Sequence, residues 1–143
     1  LINSGVNAAE LPSMPIAMAQ WVADSVGGVY PLLAPAVGAL GAFIAGSNTV
    51  SNMMLSQFQF GVASTLGISG AVIVAVQAIG AAAGNMVAIH NVVAASATVG
   101  LLGREGAILR KTFWPTVYYV LMTGVVAMIA IYVLGVTDPL VVQ

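Results

Sequence analysis

The sequence predicts an all-α, polytopic membrane protein with a re-entrant hairpin or broken helix among its spans. Three observations carry this. Of the 143 residues, 60% are hydrophobic and 5% charged, against about 25% charged in a typical soluble domain. No Asp, Glu, Lys or Arg occurs from Ser25 to Gly103, nor from Thr112 to Thr137. A helix needs roughly 20 apolar residues to cross the hydrocarbon, so the first run is several times that length. Finally, Ala71–Val76 and Val125–Val133 are apolar at every position. A β-barrel strand would alternate apolar with polar residues instead, so the spans are helices.

The same composition excludes other classes. Three basic residues and a net charge of −1 leave no electrostatic footprint for nucleic acid. Disordered chains are poor in apolar residues, and this one is rich in them. With no cysteine, disulfides, thiolate metal sites and cysteine nucleophiles are excluded. The start Leu1-Ile2-Asn3 shows no signal peptide pattern. The chain reads as the C-terminal portion of a longer polytopic protein, the other reading being a small subunit of a larger complex.

In chain order, residues 1–28 read as a connecting segment with a short helix over Ile16–Val26, closed by Gly27-Gly28. Tyr30-Pro31 opens the next element, since proline is tolerated in a first helical turn. Residues 30–66 read as a hairpin or broken span with a polar tip at 47–52. Within it Ala34, Gly38, Ala42 and Gly46 recur every four residues, a small-xxx-small ridge that admits a second helix closely. Residues 69–102 read as a second broken span, with Gly80 and Gly84 as another close-packing pair and interruptions at Gly84-Asn85 and His90-Asn91. The charged connection 103–111 holds all three basic residues, and the positive-inside rule puts it in the cytoplasm. Residues 112–136 form the last span, with Trp114, Tyr118 and Tyr119 at its interfacial start and Asp138-Pro139 beyond its end.

The tip is the most informative stretch. Ser47-Asn48-Thr49-Val50-Ser51-Asn52 interrupts two short apolar halves, and non-helical backbone at membrane depth is tolerated only beside protein or a water-filled cavity. Unpaired polar groups in hydrocarbon cost roughly 2–7 kcal/mol, so five polar side chains in six positions imply a site rather than incidental interhelical bonding. If the segment is helical, Asn48, Asn52, Ser56 and Gln59 share one face. A helix starting near Asn48 also offers free N–H groups and a positive dipole end to an anion. A small carboxylate suits that arrangement.

His90 is the only histidine; with an unperturbed pKa of about 6.5 it can change charge near neutrality, and intramembrane ionisable groups are functional candidates. A neutral histidine donating to a backbone carbonyl is the competing reading. Asp24 is the second candidate proton carrier, unless it merely sits at an interface. A lone His without Cys or a carboxylate at ligand spacing supports no metal site. Nothing suggests a cofactor, a phosphate loop or a nucleophile–base pair, so the chain is not read as an enzyme.

Gly38-Ala-Leu-Gly-Ala-Phe-Ile-Ala-Gly-Ser-Asn-Thr-Val-Ser-Asn-Met-Met54, Gly84-Asn-Met86, the run from His90 to Gly106 and Arg110-Lys-Thr112 resemble the C-terminal portion of the L-lactate permease family, which includes glycolate permeases. The resemblance covers nearly the whole chain. It implies a multi-pass secondary transporter of the bacterial plasma (inner) membrane that imports L-lactate, D-lactate or glycolate by proton symport, with the lipid bilayer as its surroundings. It also suggests kinship with ion transporters whose hairpin tips carry a Ser-Asn-Thr motif contacting a substrate carboxylate. The architecture so implied is half of an inverted repeat, its matching tip lying in the N-terminal half of the same parent chain. Many such relatives couple to sodium, which leaves the ion open, and a homo-oligomer is open too.

Two functional readings follow. In the first, Ser47, Asn48, Thr49, Ser51 and Asn52 bind the substrate, Asn85 and Asn91 line the opposite wall, and His90 or Asp24 handles the proton. The second is a non-transporting membrane anchor or assembly subunit, in which the polar groups only pair between helices. By either reading the isolated segment is expected not to transport alone.

Overall fold

The computed structural model describes residues 14–138. Leu1 to Ser13, the first part of the expected connecting segment, and Pro139 lie outside the described residues. Six α-helices occupy most of what is described: α1 (Met14–Val26), α2 (Tyr30–Ala45), α3 (Asn48–Leu66), α4 (Gly70–Asn85), α5 (Ile89–Thr98) and α6 (Glu105–Met128). A short 3₁₀ turn, Gly27–Val29, joins α1 to α2, and a π turn, Ile129–Val133, extends α6. The all-helical expectation holds, with no strand among the described residues. Two continuous stretches, Ala17–Ala45 and Glu105–Val133, are long and apolar enough to cross a bilayer, and α4 with α5, bent by 48° at their break, make a third candidate.

Each boundary has a local cause. Gly46 ends α2 at φ 65°, its N–H donating to the Ala42 carbonyl, in a left-handed conformation glycine adopts without a Cβ penalty. Ser47 then caps α3, its Oγ accepting from the Val50 N–H at 3.3 Å. The reversal thus takes two residues, and Asn48–Asn52 form the first turns of α3. Gly67, at φ 67°, closes α3, and Ser69 caps α4 by accepting from Val72 N–H. The charged stretch expected as a loop is only partly one. Gly103 turns at φ 82°, its N–H donates to Glu105 Oε1 at 2.9 Å, and α6 begins at Glu105, so Arg110 and Lys111 are helical.

Helices α2, α3 and α4 pack as one unit, with α2 on α4 the most extensive interface. The glycines set how close they come. A Cβ on Gly38 would run into the Gln77 carbonyl, one on Gly80 into the Pro35 carbonyl, and one on Gly84 into that of Ala39. Residue numbers therefore rise together along α2 and α4, which are parallel, while α3 runs back antiparallel and packs against both. Of the expected small-residue ridge Ala34, Gly38, Ala42 and Gly46, the first three are buried within α2, while Gly46 is its C-cap and only half-buried. Helix α1 lies along the second half of α3, where Ala19 abuts Gly61. Helix α6 runs antiparallel to α2 and α4, Thr116 Oγ1 reaching the Ala83 carbonyl and Gly124 pressing on Leu32.

At the far end of α6 the chain turns at Gly135 (φ 61°) and lays Asp138 on the start of α4. Its carboxylate accepts from Ser69 Oγ, from Gly70 N–H at 2.6 Å and from Ala71 N–H at 3.0 Å. A negative group on a helix N-terminus is favoured by the dipole and by the unsatisfied N–H groups there. The Ser69 hydroxyl, with those two amides, holds the Asp138 carboxyl below its ordinary pKa of 3.8. Because the folded value is depressed, the stabilisation is full above the unfolded pKa and is lost as pH falls through the folded one. Asp138→Ala is expected to cost about 1 kcal/mol, as loss of a helix cap does. Thermal unfolding in detergent should show that gap at pH 7 and its narrowing as pH falls below 3.8 through the folded pKa; a gap unchanged at acid pH would refute the assignment.

Candidate functional site

Two chain breaks meet at one end of the three-helix unit. The first is the Gly46–Ser47 reversal. The second is the tight turn after α4, where Met86 N–H donates to the Ala83 carbonyl and Val87 N–H to that of Gly84, before α5 starts at Ile89. Because α2 and α4 are parallel and in contact, the chain leaving α4 brings the N-terminus of α5 beside the Gly46–Ser47 reversal and hence beside the N-terminus of α3. Asn91 fastens the breaks: its Nδ2 donates to Asn85 Oδ1 at 2.8 Å, to the Asn85 carbonyl at 3.3 Å and to the Gly46 carbonyl at 3.2 Å. The His90 imidazole edge fills the space that a side chain on Gly46 would need.

His90 is the one ionisable side chain among the candidate residues at this junction. Ser47, Asn48, Asn52, Asn85 and Asn91 are half-buried, and Thr49 and His90 are exposed. Asn52 Nδ2 donates to Asn48 Oδ1 at 3.1 Å, while Asn52 Oδ1 is buried with no partner. Helix α5 has no side-chain cap. Two helix ends, each carrying about half a positive charge, and an orphan acceptor one turn inside the tip therefore lie together. That combination can hold an anion that also carries a hydroxyl donor.

Seven of the nine candidates read from the sequence are brought together here: Ser47, Asn48, Thr49, Asn52, Asn85, His90 and Asn91. Two are placed elsewhere. Ser51 turns inward, fully buried, its Oγ donating to the Gly38 carbonyl at 2.9 Å and accepting from Gln77 Nε2 at 3.3 Å, so its one donor is engaged inside the helix unit and away from the tip surface. Asp24 is exposed on α1, which packs near Gly61, roughly 20 Å along α3 from the tip at 1.5 Å per residue. The sequence reading missed Tyr30, Gln59 and Gln77 as a group: all three are fully buried and joined by hydrogen bonds within the unit. Gln77 stands alone in an apolar run, and only the fold reveals its partners.

Besides the junction there are two recesses among the described residues, the second of which reaches Gly84 and Val87 of the second break. One of about 800 Å³, lined by Phe60, Ser64, Tyr132 and Asp138 among others, is at the opposite end. The other, about 540 Å³ between α2, α4 and α6, has Thr116 as its one polar lining side chain and does not suit a carboxylate.

The L-lactate permease family profile matches residues 2–134. A candidate L-lactate permease of Haemophilus influenzae is 41% identical over 97 residues, covering 68% of this chain and 18% of that protein. The L-lactate permease of Salmonella typhimurium is 32% identical over 108 residues, 76% of this chain and 20% of that one. A glycolate permease of Escherichia coli is 29% identical over 112 residues, 78% and 20% of the two chains. This chain spans about a fifth of the length of these relatives. No solved structure matches it.

Proposed function

The chain belongs to the L-lactate permease family, and from that premise we propose that it carries one wall of the substrate site of a secondary transporter for short 2-hydroxy carboxylates. The observation that carries this reading is the convergence of the α3 and α5 N-termini around a buried, partnerless Asn52 Oδ1. The carboxylate of L-lactate, D-lactate or glycolate sits between the helix ends, with Asn48 and Thr49 donating to it. The 2-hydroxyl donates to Asn52 Oδ1, satisfying an acceptor whose burial otherwise costs about 1–3 kcal/mol. Ser47 shapes the reversal, and Asn85 and Asn91 hold the second break against it. The remaining wall comes from the N-terminal half of the parent chain.

Proton coupling fits the same geometry. His90 is the second residue of α5 and lies against Gly46, beside the two helix ends that face the carboxylate. It is the proton-carrier candidate at this junction and sits next to the bound anion. The protein is placed in the bacterial plasma membrane with residues 103–111 on the cytoplasmic side, following their basic residues.

The test is labelled L-lactate uptake by the full-length transporter in proteoliposomes, under an inward proton gradient without sodium. Uptake that a protonophore abolishes is the expected result, with His90→Gln flattening its pH dependence. Uptake only with sodium would keep the site and remove the proton; no uptake under either gradient would favour an anchoring role. Asn52→Ala should raise KM for lactate about tenfold, the size of one hydrogen bond of roughly 1.4 kcal/mol. It should leave competition by propionate, which lacks the hydroxyl, unchanged. Equal losses for both acids would show that Asn52 does not read the hydroxyl.

A further inference from the structure

The interior of the α2–α3–α4 unit holds one directed chain of hydrogen bonds. Tyr30 Oη donates to Gln59 Oε1, Gln59 Nε2 to Gln77 Oε1 at 2.9 Å, Gln77 Nε2 to Ser51 Oγ at 3.3 Å, and Ser51 Oγ to the Gly38 carbonyl at 2.9 Å. Gln59 Nε2 also donates to the Ala34 carbonyl at 3.0 Å. All four side chains are fully buried. Bonds of this kind between membrane helices contribute little each, so stability alone is a weak reason for placing two glutamines there.

The packing around the chain supplies a better one. Gly80 rests on Pro35 and Gly84 on Ala39, a four-residue interval on both helices. Moving α4 back by one turn would set Gly84 on Pro35, again a glycine on α2 backbone. Small residues repeated every four positions discriminate poorly between such registers, because the fit depends on the absence of a side chain. The Gln59–Gln77–Ser51 bonds do not repeat. Slipping by one turn, about 5.4 Å, breaks them and strands the Gln77 amide in an apolar interior, while Gln59 keeps its bonds to Tyr30 and the Ala34 carbonyl. It would also carry the break after Asn85 away from the tip at Gly46, since one break belongs to α4 and the other to the α2–α3 hairpin.

We propose that the Gln59–Gln77 pair is the register pin of this interface, making Gln77 and Gln59 positioning residues for the tip, through Ser51 and the ends of α3 and α4. The substrate part of this inference rests on the function proposed above; the register part does not. The experiment changes both glutamines together, Gln59→Leu with Gln77→Leu, in the full-length transporter, so that neither amide is left unpaired. Spin labels on cysteines at Val50 and Ile89, both exposed, report the distance between the breaks, and labelled lactate uptake gives KM and kcat. The unmodified pair should give one narrow distance peak. The Leu pair should add a second population displaced by about 5 Å, one helical turn, with KM raised at least tenfold and kcat changed by less than threefold. An unshifted distance distribution with KM within twofold would overturn the proposal. A shifted distribution in a protein whose parent takes up no lactate would leave the register pin standing and remove the lactate reading. Should the Leu pair not fold, Gln59→Met with Gln77→Met keeps the side-chain length; failure of that pair as well would overturn the proposal, making the network a stability element.

Discussion

Uptake of labelled L-lactate by the full-length transporter is expected to fall about a hundredfold when Asn48 and Thr49 are changed together to alanine. Hydrogen bonds to a charged group are each worth about 1.5–3 kcal/mol, and two of them lost from the bound carboxylate reach that figure at about 1.4 kcal/mol per decade. Asn48→Ala also releases Asn52, whose Nδ2 is held by Asn48 Oδ1, so the hydroxyl contact weakens with the carboxylate contact. The turn itself should survive, because Ser47 and Gly46 make it and neither is altered. Thr65→Ala is the matched control: its hydroxyl bonds only the Gly61 carbonyl one turn back on an exposed face of α3, and uptake should stay unchanged. Normal yield and undiminished uptake in the double variant would sink the assignment of the tip.

The tip was legible in the sequence because its signal is local. Gly46 followed by Ser47 is a helix stop and a helix start written side by side, and the polar run after it breaks an apolar background. The second break showed itself in the same way at Gly84-Asn85 and His90-Asn91. What the two breaks do to each other was not legible, because the Asn91 bond to the Gly46 carbonyl spans 45 residues and depends on α2 and α4 being parallel. The polar stripe of α3 shows the limit plainly. Its period correctly put Asn48, Asn52, Ser56 and Gln59 on one face, but period says nothing about what that face meets. It meets α2 and α4, so Gln59 at the far end is sealed among Tyr30, Ala34 and Gln77 rather than lining a pathway. Ser51 was grouped with its neighbours for polarity, and the helix rotation sends it inward. Asp138 on the start of α4 left no trace in the sequence beyond the capping serine it bonds.

The largest stability effect is expected from Gly80→Val. The site depends on α2 and α4 lying parallel in close contact, and that closeness is backbone on backbone: a Cβ at Gly80 falls on the Pro35 carbonyl, which cannot rotate away as a side chain could. Proline at that position restricts the local backbone further. The helices must therefore separate, opening the contacts of Gly38 and Gly84 and stretching the Gln59–Gln77 bond. Overpacking of this kind costs about 1–3 kcal/mol and occasionally more; here the upper end or beyond is expected, because the obstacle is backbone and the helices must part to relieve it. Size-exclusion chromatography and thermal unfolding in detergent should show loss of the folded species or a marked fall in Tm, with uptake lost in proportion to the unfolded fraction. Gly106→Ala gives the contrast. Gly106 lies in the first turn of α6 with nothing near its Cβ position and no left-handed φ, so alanine there should be neutral or stabilise by up to about 1 kcal/mol through helix propensity. Equal behaviour of the two variants would mean that α2 and α4 are not in backbone contact, and the convergence of the breaks would lose its physical basis.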